Sequence, residues 1–153
     1  MTEARNIHKP APLWRRFAAM IYDSVVIFAI WMLVGFAVLS AFGINGAVTA
    51  EGETVVLDPL YRWTLFGAML LSAYLFFAWF WTHSGQTIGM QAWKIKVQNE
   101  NGTAINYKQA LIRVLLGGLS IMFFGAGHFW MLFNKKRYTL HDHASKSEVV
   151  KLP

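Results

Sequence analysis

The chain has 153 residues, of which 56% are hydrophobic and 14% are charged, and its formal net charge at pH 7 is +6. Soluble domains carry about 25% charged residues, so this composition is typical of a membrane protein and leaves no room for a separate soluble domain. The basic residues lie beside the apolar runs and form no single patch, which argues against nucleic acid as a partner. The absence of cysteine excludes disulfides and thiolate metal sites.

The first apolar segment, at about 17–42, predicts a membrane helix. Its uncharged part, Ser24 to Phe42, has 19 residues, and about 20 apolar residues are needed to span the hydrocarbon layer. Arg16 and Asp23 stand seven residues apart, so they lie nearly on one stripe of this helix. Because a carboxylate at the membrane edge is costly when it is unpaired, we expect Asp23 to have a partner.

Charge asymmetry predicts the orientation of the chain. Basic residues precede the first span at Arg5, Lys9, Arg15 and Arg16, so the N-terminus is expected in the cytoplasm as an uncleaved anchor. The connection at 43–61 contains acidic residues but no lysine or arginine, and we expect a solvated loop outside. Asp58-Pro59 marks the start of a second membrane helix, at about 62–82.

The segment 83–108 is basic again and is expected to be a cytoplasmic loop. Apolar residues near a helical repeat, Ile88, Ala92, Trp93 and Ile95, predict a short amphipathic helix in the membrane interface. Alternating residues from Lys94 to Gln98, followed by Asn101-Gly102, predict a small cytoplasmic β-hairpin. A strand at Val149 and Val150 is also expected beside 94–98.

The third apolar segment, at about 110–133, poses a problem of topology. If it crossed once, the basic tail 134–153 would lie outside, against the positive-inside rule. Glycines at 117, 118, 125 and 127 allow a bend, so we favour a bent or re-entrant hairpin with both ends in the cytoplasm; three full crossings are the alternative. The expected fold is a single all-α membrane domain over 1–153, with two full transmembrane helices and this third segment.

Three short motifs lie at the ends of the apolar segments. They are RRFAAMIYD with Arg16 and Asp23, SGQTIGMQAW with Gly85, Thr87 and Gly89, and TLHDH with Asp142. In these motifs the chain resembles the RDD family of small prokaryotic integral membrane proteins over about 13–150. The resemblance implies a polar network of Arg16, Asp23 and Asp142, a tail that returns to the cytoplasmic end of the first helix, and a bacterial inner-membrane location. Met90 stands where the family often has a basic residue, so no charge is expected to act there.

The candidate site residues also allow simpler interpretations. Arg16 is expected to pair with Asp23 or Asp142, since a planar guanidinium suits carboxylates. Gly85, Thr87 and Gly89 lack the lysine and spacing of a phosphate loop and predict a turn entering the interfacial helix. His141, Asp142 and His143 are consecutive and point in different directions, so neither a metal site nor a cofactor is expected.

The sequence carries no catalytic signature, and we expect no enzyme. The favoured function is a non-enzymatic multi-pass membrane protein that packs in the lipid bilayer against another membrane protein or against itself as a homo-oligomer, using frequent small residues for close helix contact. The alternative is a transport component for ions, protons or small solutes, in which Asp23, Arg16 and Asp142 line a polar path.

Overall fold

The chain is mostly helical, as the sequence predicts. A computed structural model describes residues 9–51, 54–123, 126–133 and 138–153. The helices are α1 Leu13–Ala47, α2 Pro59–His83, α3 Ile88–Ala92, α4 Tyr107–Met122, α5 Ala126–Phe133 and α6 Leu140–Ala144. The strands are β1 Val48–Glu51, β2 Thr54–Leu57, β3 Ile95–Asn99 and β4 Ser147–Lys151. Helix α1 is interrupted at Gly43, whose φ of 67° lies in the left-handed region.

Two helices, α1 and α2, are long and apolar enough to cross a membrane. Only 6% of the residues in the apolar window of each helix are buried, whereas the core helix of a soluble protein would be covered by its neighbours. The expectation of two long apolar helices is confirmed, and lipid is the environment that suits their exposed side chains.

The chain divides into two compact units, Met1–Asp23 with Phe77–Pro153, and Ser24–Phe76. In the second unit the Trp31 Nε1–H donates to the Met69 carbonyl at 3.0 Å, so the two long helices are in contact at this level. Strands β1 and β2 pair antiparallel in the connection between them. Helix α2 begins at Pro59 because the Asp58 carboxylate accepts the N–H groups of the first turn.

In the first unit, strand β3 pairs antiparallel with β4, and Val97 lies opposite Val149. The strand expected beside 94–98 is therefore confirmed. The turn expected after β3 also forms, since the Gly102 N–H donates to the Asn99 carbonyl at 2.8 Å. The local hairpin does not: Asn106 and Gln109 form a capping box that starts α4 directly after the turn, so the partner strand comes from the tail.

The third apolar segment is broken into two helices, α4 and α5, as its glycines suggest. The two helices pack closely, because a Cβ added to Gly127 would lie 2.7 Å from the Ser120 hydroxyl. A bend is therefore present, while the number of membrane crossings stays a prediction. Residues 1–8, Gly125 of the third apolar segment and the basic residues at 135–137 lie outside the described residues.

Candidate functional site

Helix α6 fixes the position of Asp142. Thr139 precedes the helix, and its hydroxyl accepts the Asp142 N–H at 3.3 Å while the Asp142 carboxylate accepts the Thr139 N–H at 3.1 Å. This reciprocal capping box is encoded by the local sequence TLHD. The carboxylate is therefore held at the start of a short helix, and its side chain is completely buried.

Two arginines share this buried carboxylate. Arg16 Nη1 donates to Asp142 Oδ2 at 2.6 Å, and Arg113 Nη1 donates to Oδ1 at 2.7 Å. Both guanidinium groups are themselves buried, with 6% and 3% of the side chains exposed. The arrangement is an arginine–aspartate–arginine triad, in which one residue comes from α1, one from α6 and one from α4.

The remaining contacts of the triad tie further segments to it. Arg16 also donates to the main-chain oxygens of Ala11 and Val149, at 3.2 and 3.3 Å. Arg113 donates to the Ser147 hydroxyl at 2.6 Å, and its guanidinium lies 5.4 Å from the centre of the Trp81 ring. The triad therefore links the segment before α1, the end of α2, α4 and the tail strand.

Electrostatics keep Asp142 ionised. Burial by itself raises the pKa of this carboxyl, but the charges of Arg113 and Arg16 outweigh burial and hold the pKa well below its usual range. The triad thus carries two positive charges and one negative charge at neutral pH. A carboxylate that stays ionised and fully hydrogen-bonded is suited to fixing a fold and poorly suited to exchanging protons.

Asp23 belongs to a second cluster. Its carboxylate accepts the Thr87 hydroxyl at 2.5 Å and the Gly89 N–H at 2.9 Å. Thr87 is also the N-cap of α3, where its hydroxyl accepts the Met90 N–H at 3.2 Å. The structure therefore brings Arg16 and Asp142 together, whereas Asp23 contacts the loop motif. The single network expected for Arg16, Asp23 and Asp142 is thus divided into two neighbouring clusters, which Arg16 and Asp23 join from the buried stripe of α1.

The glycines of the loop motif have steric roles. Gly85 has a φ of 73°, and a Cβ there would lie 2.6 Å from the Val97 carbonyl oxygen. Gly89 packs directly on α1, where an added Cβ would overlap the Ala19 carbonyl oxygen. Gly85 and Thr87 thus lie in the turn that leads into α3, and Gly89 lies within α3 at its contact with α1.

Sequence reasoning missed Arg113. The signal was present, because a single arginine interrupts the apolar run ALIRVLL at 110–116, and a cation at such a position needs a buried partner. Ser147 was missed as well, since its role depends on the pairing of β3 with β4. Neither residue belongs to a motif.

The histidines beside Asp142 point to different environments. His141 is buried and His143 is exposed, while the Asp142 oxygens are engaged by the two arginines. In the part of the chain that the structure describes, no group of three or more His, Asp and Glu side chains is arranged to hold a metal ion.

Comparison with known proteins identifies a relative and a family of the chain. The chain is 26% identical over 151 residues to the uncharacterized protein YxaI of Bacillus subtilis (strain 168), covering 94% of this chain and 99% of the relative. No solved structure matches the chain. The sequence model of the RDD family matches residues 10–146, which include both clusters, and the chain therefore belongs to the RDD family.

Proposed function

We propose that this RDD protein is a non-enzymatic, multi-pass membrane protein that packs in the bilayer against another membrane protein or a second copy of itself. In this proposal the triad and the Asp23 cluster hold the fold together. The observation that supports the proposal best is the inverted polarity of α4.

Helix α4 buries polar residues and exposes apolar ones. Its buried residues are Ala110, Arg113 and Ser120, whereas Leu111, Leu115 and Met122 are 42%, 62% and 79% exposed. The three exposed side chains, with Gly118, recur at the spacing of one helix face. A helix in water has the opposite polarity, so this face suits lipid or the surface of another membrane protein. Gly118 would allow close approach of a partner helix.

The contact between Arg16 and Asp142 supports a topology in which both chain ends are cytoplasmic. Arg16, at the basic end of α1, contacts Asp142 of the tail, and this contact supports a tail on the same side of the membrane as the start of α1. Under this proposal α4 and α5 form a re-entrant hairpin in the bacterial inner membrane. The basic loop at 83–108 then lies in the cytoplasm, in agreement with the positive-inside rule.

The alternative of transport through Arg16, Asp23 and Asp142 gains no support from these contacts. Each carboxylate is buried and accepts hydrogen bonds at both of its oxygens from protein donors. A path for ions would need at least one of these groups to exchange its protein partners for the solute.

A photoreactive amino acid at position 115 tests the packing proposal in native membranes. Illumination is expected to give a protein adduct whose mass identifies a second copy or another membrane protein. The control is the same probe at Leu71 of α2, which is 57% exposed against 62% for Leu115. Equal adduct yields at the two positions, or adducts to lipid alone, would contradict a specific packing face on α4.

A further inference from the structure

We propose that a groove beside α3 binds the phosphate head group of an anionic phospholipid. The groove has a volume of about 600 Å³ and is lined by Gln86, Gln91, Lys94, Leu152 and Pro153. This lipid site rests on the function proposed above, because it requires the first unit, Met1–Asp23 with Phe77–Pro153, to lie in the membrane. It adds the class of lipid that this unit binds.

Two cations supply the charge that a phosphate requires. Lys94 is exposed at the groove, and its ammonium donates to the Pro153 main-chain oxygen at 3.2 Å, an exposed contact that a phosphate would replace. Arg15 does not line the groove itself, but its Nη1 donates to the carbonyl oxygen of Trp93, the residue before Lys94, at 2.8 Å. The Arg15 guanidinium is also 5.1 Å from the centre of the Trp14 ring, which fixes its orientation.

Aromatic rings lie beside Arg15. The Trp93 ring packs edge-on against Trp14 and Tyr22, with centroid distances of 5.3 and 6.1 Å. Trp14 and Tyr22 are nevertheless more than half exposed, and Ile21 and Ile88 are exposed as well. Amphipathic rings of this kind lie at the head-group level of a bilayer.

The acidic side chains beside the β3–β4 sheet lie away from Lys94, which favours an anionic lipid over a zwitterionic one. Lys94 precedes the end of the sheet where Ile95 pairs with Lys151. The acidic residues Glu100 and Glu148 lie towards the opposite end, where the Tyr138 hydroxyl is within hydrogen-bond distance of both carboxylates. Lys94 therefore supplies the positive charge of the groove lining, and a basic residue near a membrane surface strengthens binding to anionic lipid roughly fivefold.

Native mass spectrometry of the purified full chain in detergent tests the proposal. Phosphatidylglycerol is expected to bind more tightly than phosphatidylcholine, and Lys94→Gln or Arg15→Gln to weaken that binding roughly fivefold. Lys146→Gln is the matched control. Lys146 is an exposed lysine that precedes β4 as Lys94 precedes β3, and their φ angles are 51° and 50°. It lies at the other end of the sheet and should leave binding unchanged.

Several results would overturn the inference. Equal binding of the two lipids would remove the charge selectivity, and displacement of the lipid by millimolar inorganic phosphate would identify a free-phosphate site. An equal loss in Lys146→Gln would indicate general surface charge. Unchanged melting temperatures in lipid-free detergent verify that the variants fold. Crosslinking from position 115 should persist in Lys94→Gln, so failure of the lipid site and failure of the packing proposal are distinguishable.

Discussion

Asp142 accepts hydrogen bonds from Arg16, Arg113 and the Thr139 N–H at a position that is completely buried. Moving a carboxylate out of water is costly, and two guanidinium groups at bonding distance offset that cost. The dependence is mutual, because without Asp142 the two arginines would be buried next to each other with no anion between them. The stability of the first unit therefore rests strongly on this one side chain.

Replacing Asp142 with Asn should lower the free energy of unfolding by about 3–5 kcal/mol, since it leaves two buried cations without their counter-ion. The measurement is thermal or denaturant unfolding of the purified protein in detergent. Asp58→Asn is the control: Asp58 caps α2, and Asn caps a helix about as well as Asp. A loss as small as that of the control would show that the triad contributes little to stability.

The triad also predicts how stability depends on pH. The pKa of Asp142 is depressed in the folded protein, whereas an aspartate in the unfolded chain has a pKa of about 3.9. Its contribution is therefore fully present above about pH 4 and is lost progressively as the pH falls below that value towards the folded pKa. Unfolding curves between pH 3 and 7 should show this decline in the parent protein and a smaller slope in Asp142→Asn. Parallel curves would assign the acid sensitivity to other carboxyls.

Among the helices and strands, the contact of α3 with α1 depends on the absence of a side chain at Gly89. Gly89→Ala would place a methyl group against the Ala19 carbonyl and near the Asp23 carboxylate. We expect a loss of about 1–3 kcal/mol from overpacking, measured by the melting temperature. Gly117→Ala in α4 meets nothing within 4 Å and should be neutral or stabilise the helix by up to about 1 kcal/mol. Equal effects would contradict a tight α3–α1 contact.

Strand β3 pairs with a distant strand although its local sequence predicts a hairpin. Its alternating pattern and the Asn101-Gly102 turn predict a hairpin, and both the strand and the turn form. Asn106 and Gln109 then start a helix at once, which leaves no residues for a second strand. The helix forms in place of a second hairpin strand because its capping box satisfies the first backbone groups locally. Strand β3 obtains its partner from the tail instead.

For the molecule as a whole, the testable question is which side of the membrane each segment occupies. Single cysteines in this cysteine-free chain can be labelled with a membrane-impermeant thiol reagent on intact cells. Lys151→Cys is expected to be protected until lysis, while Thr49→Cys should be labelled directly. Both parent side chains are exposed, whereas Ser147 is fully buried against Arg113 and is unsuitable. Labelling of Lys151→Cys in intact cells would indicate three crossings and contradict the re-entrant hairpin.

The membrane class, the two long apolar helices, the break in the third segment and the family could all be predicted from the amino-acid sequence. These follow from hydropathy, glycine placement and short motifs, which are properties of neighbouring residues. Three contacts became visible only in the folded chain. Arg16 contacts Asp142, Arg113 completes the triad, and Asp23 contacts Thr87 and Gly89. The sequence allowed Arg16 to pair with either Asp23 or Asp142. Which of the two it contacts depends on the approach of segments 126 residues apart, which local sequence patterns do not encode.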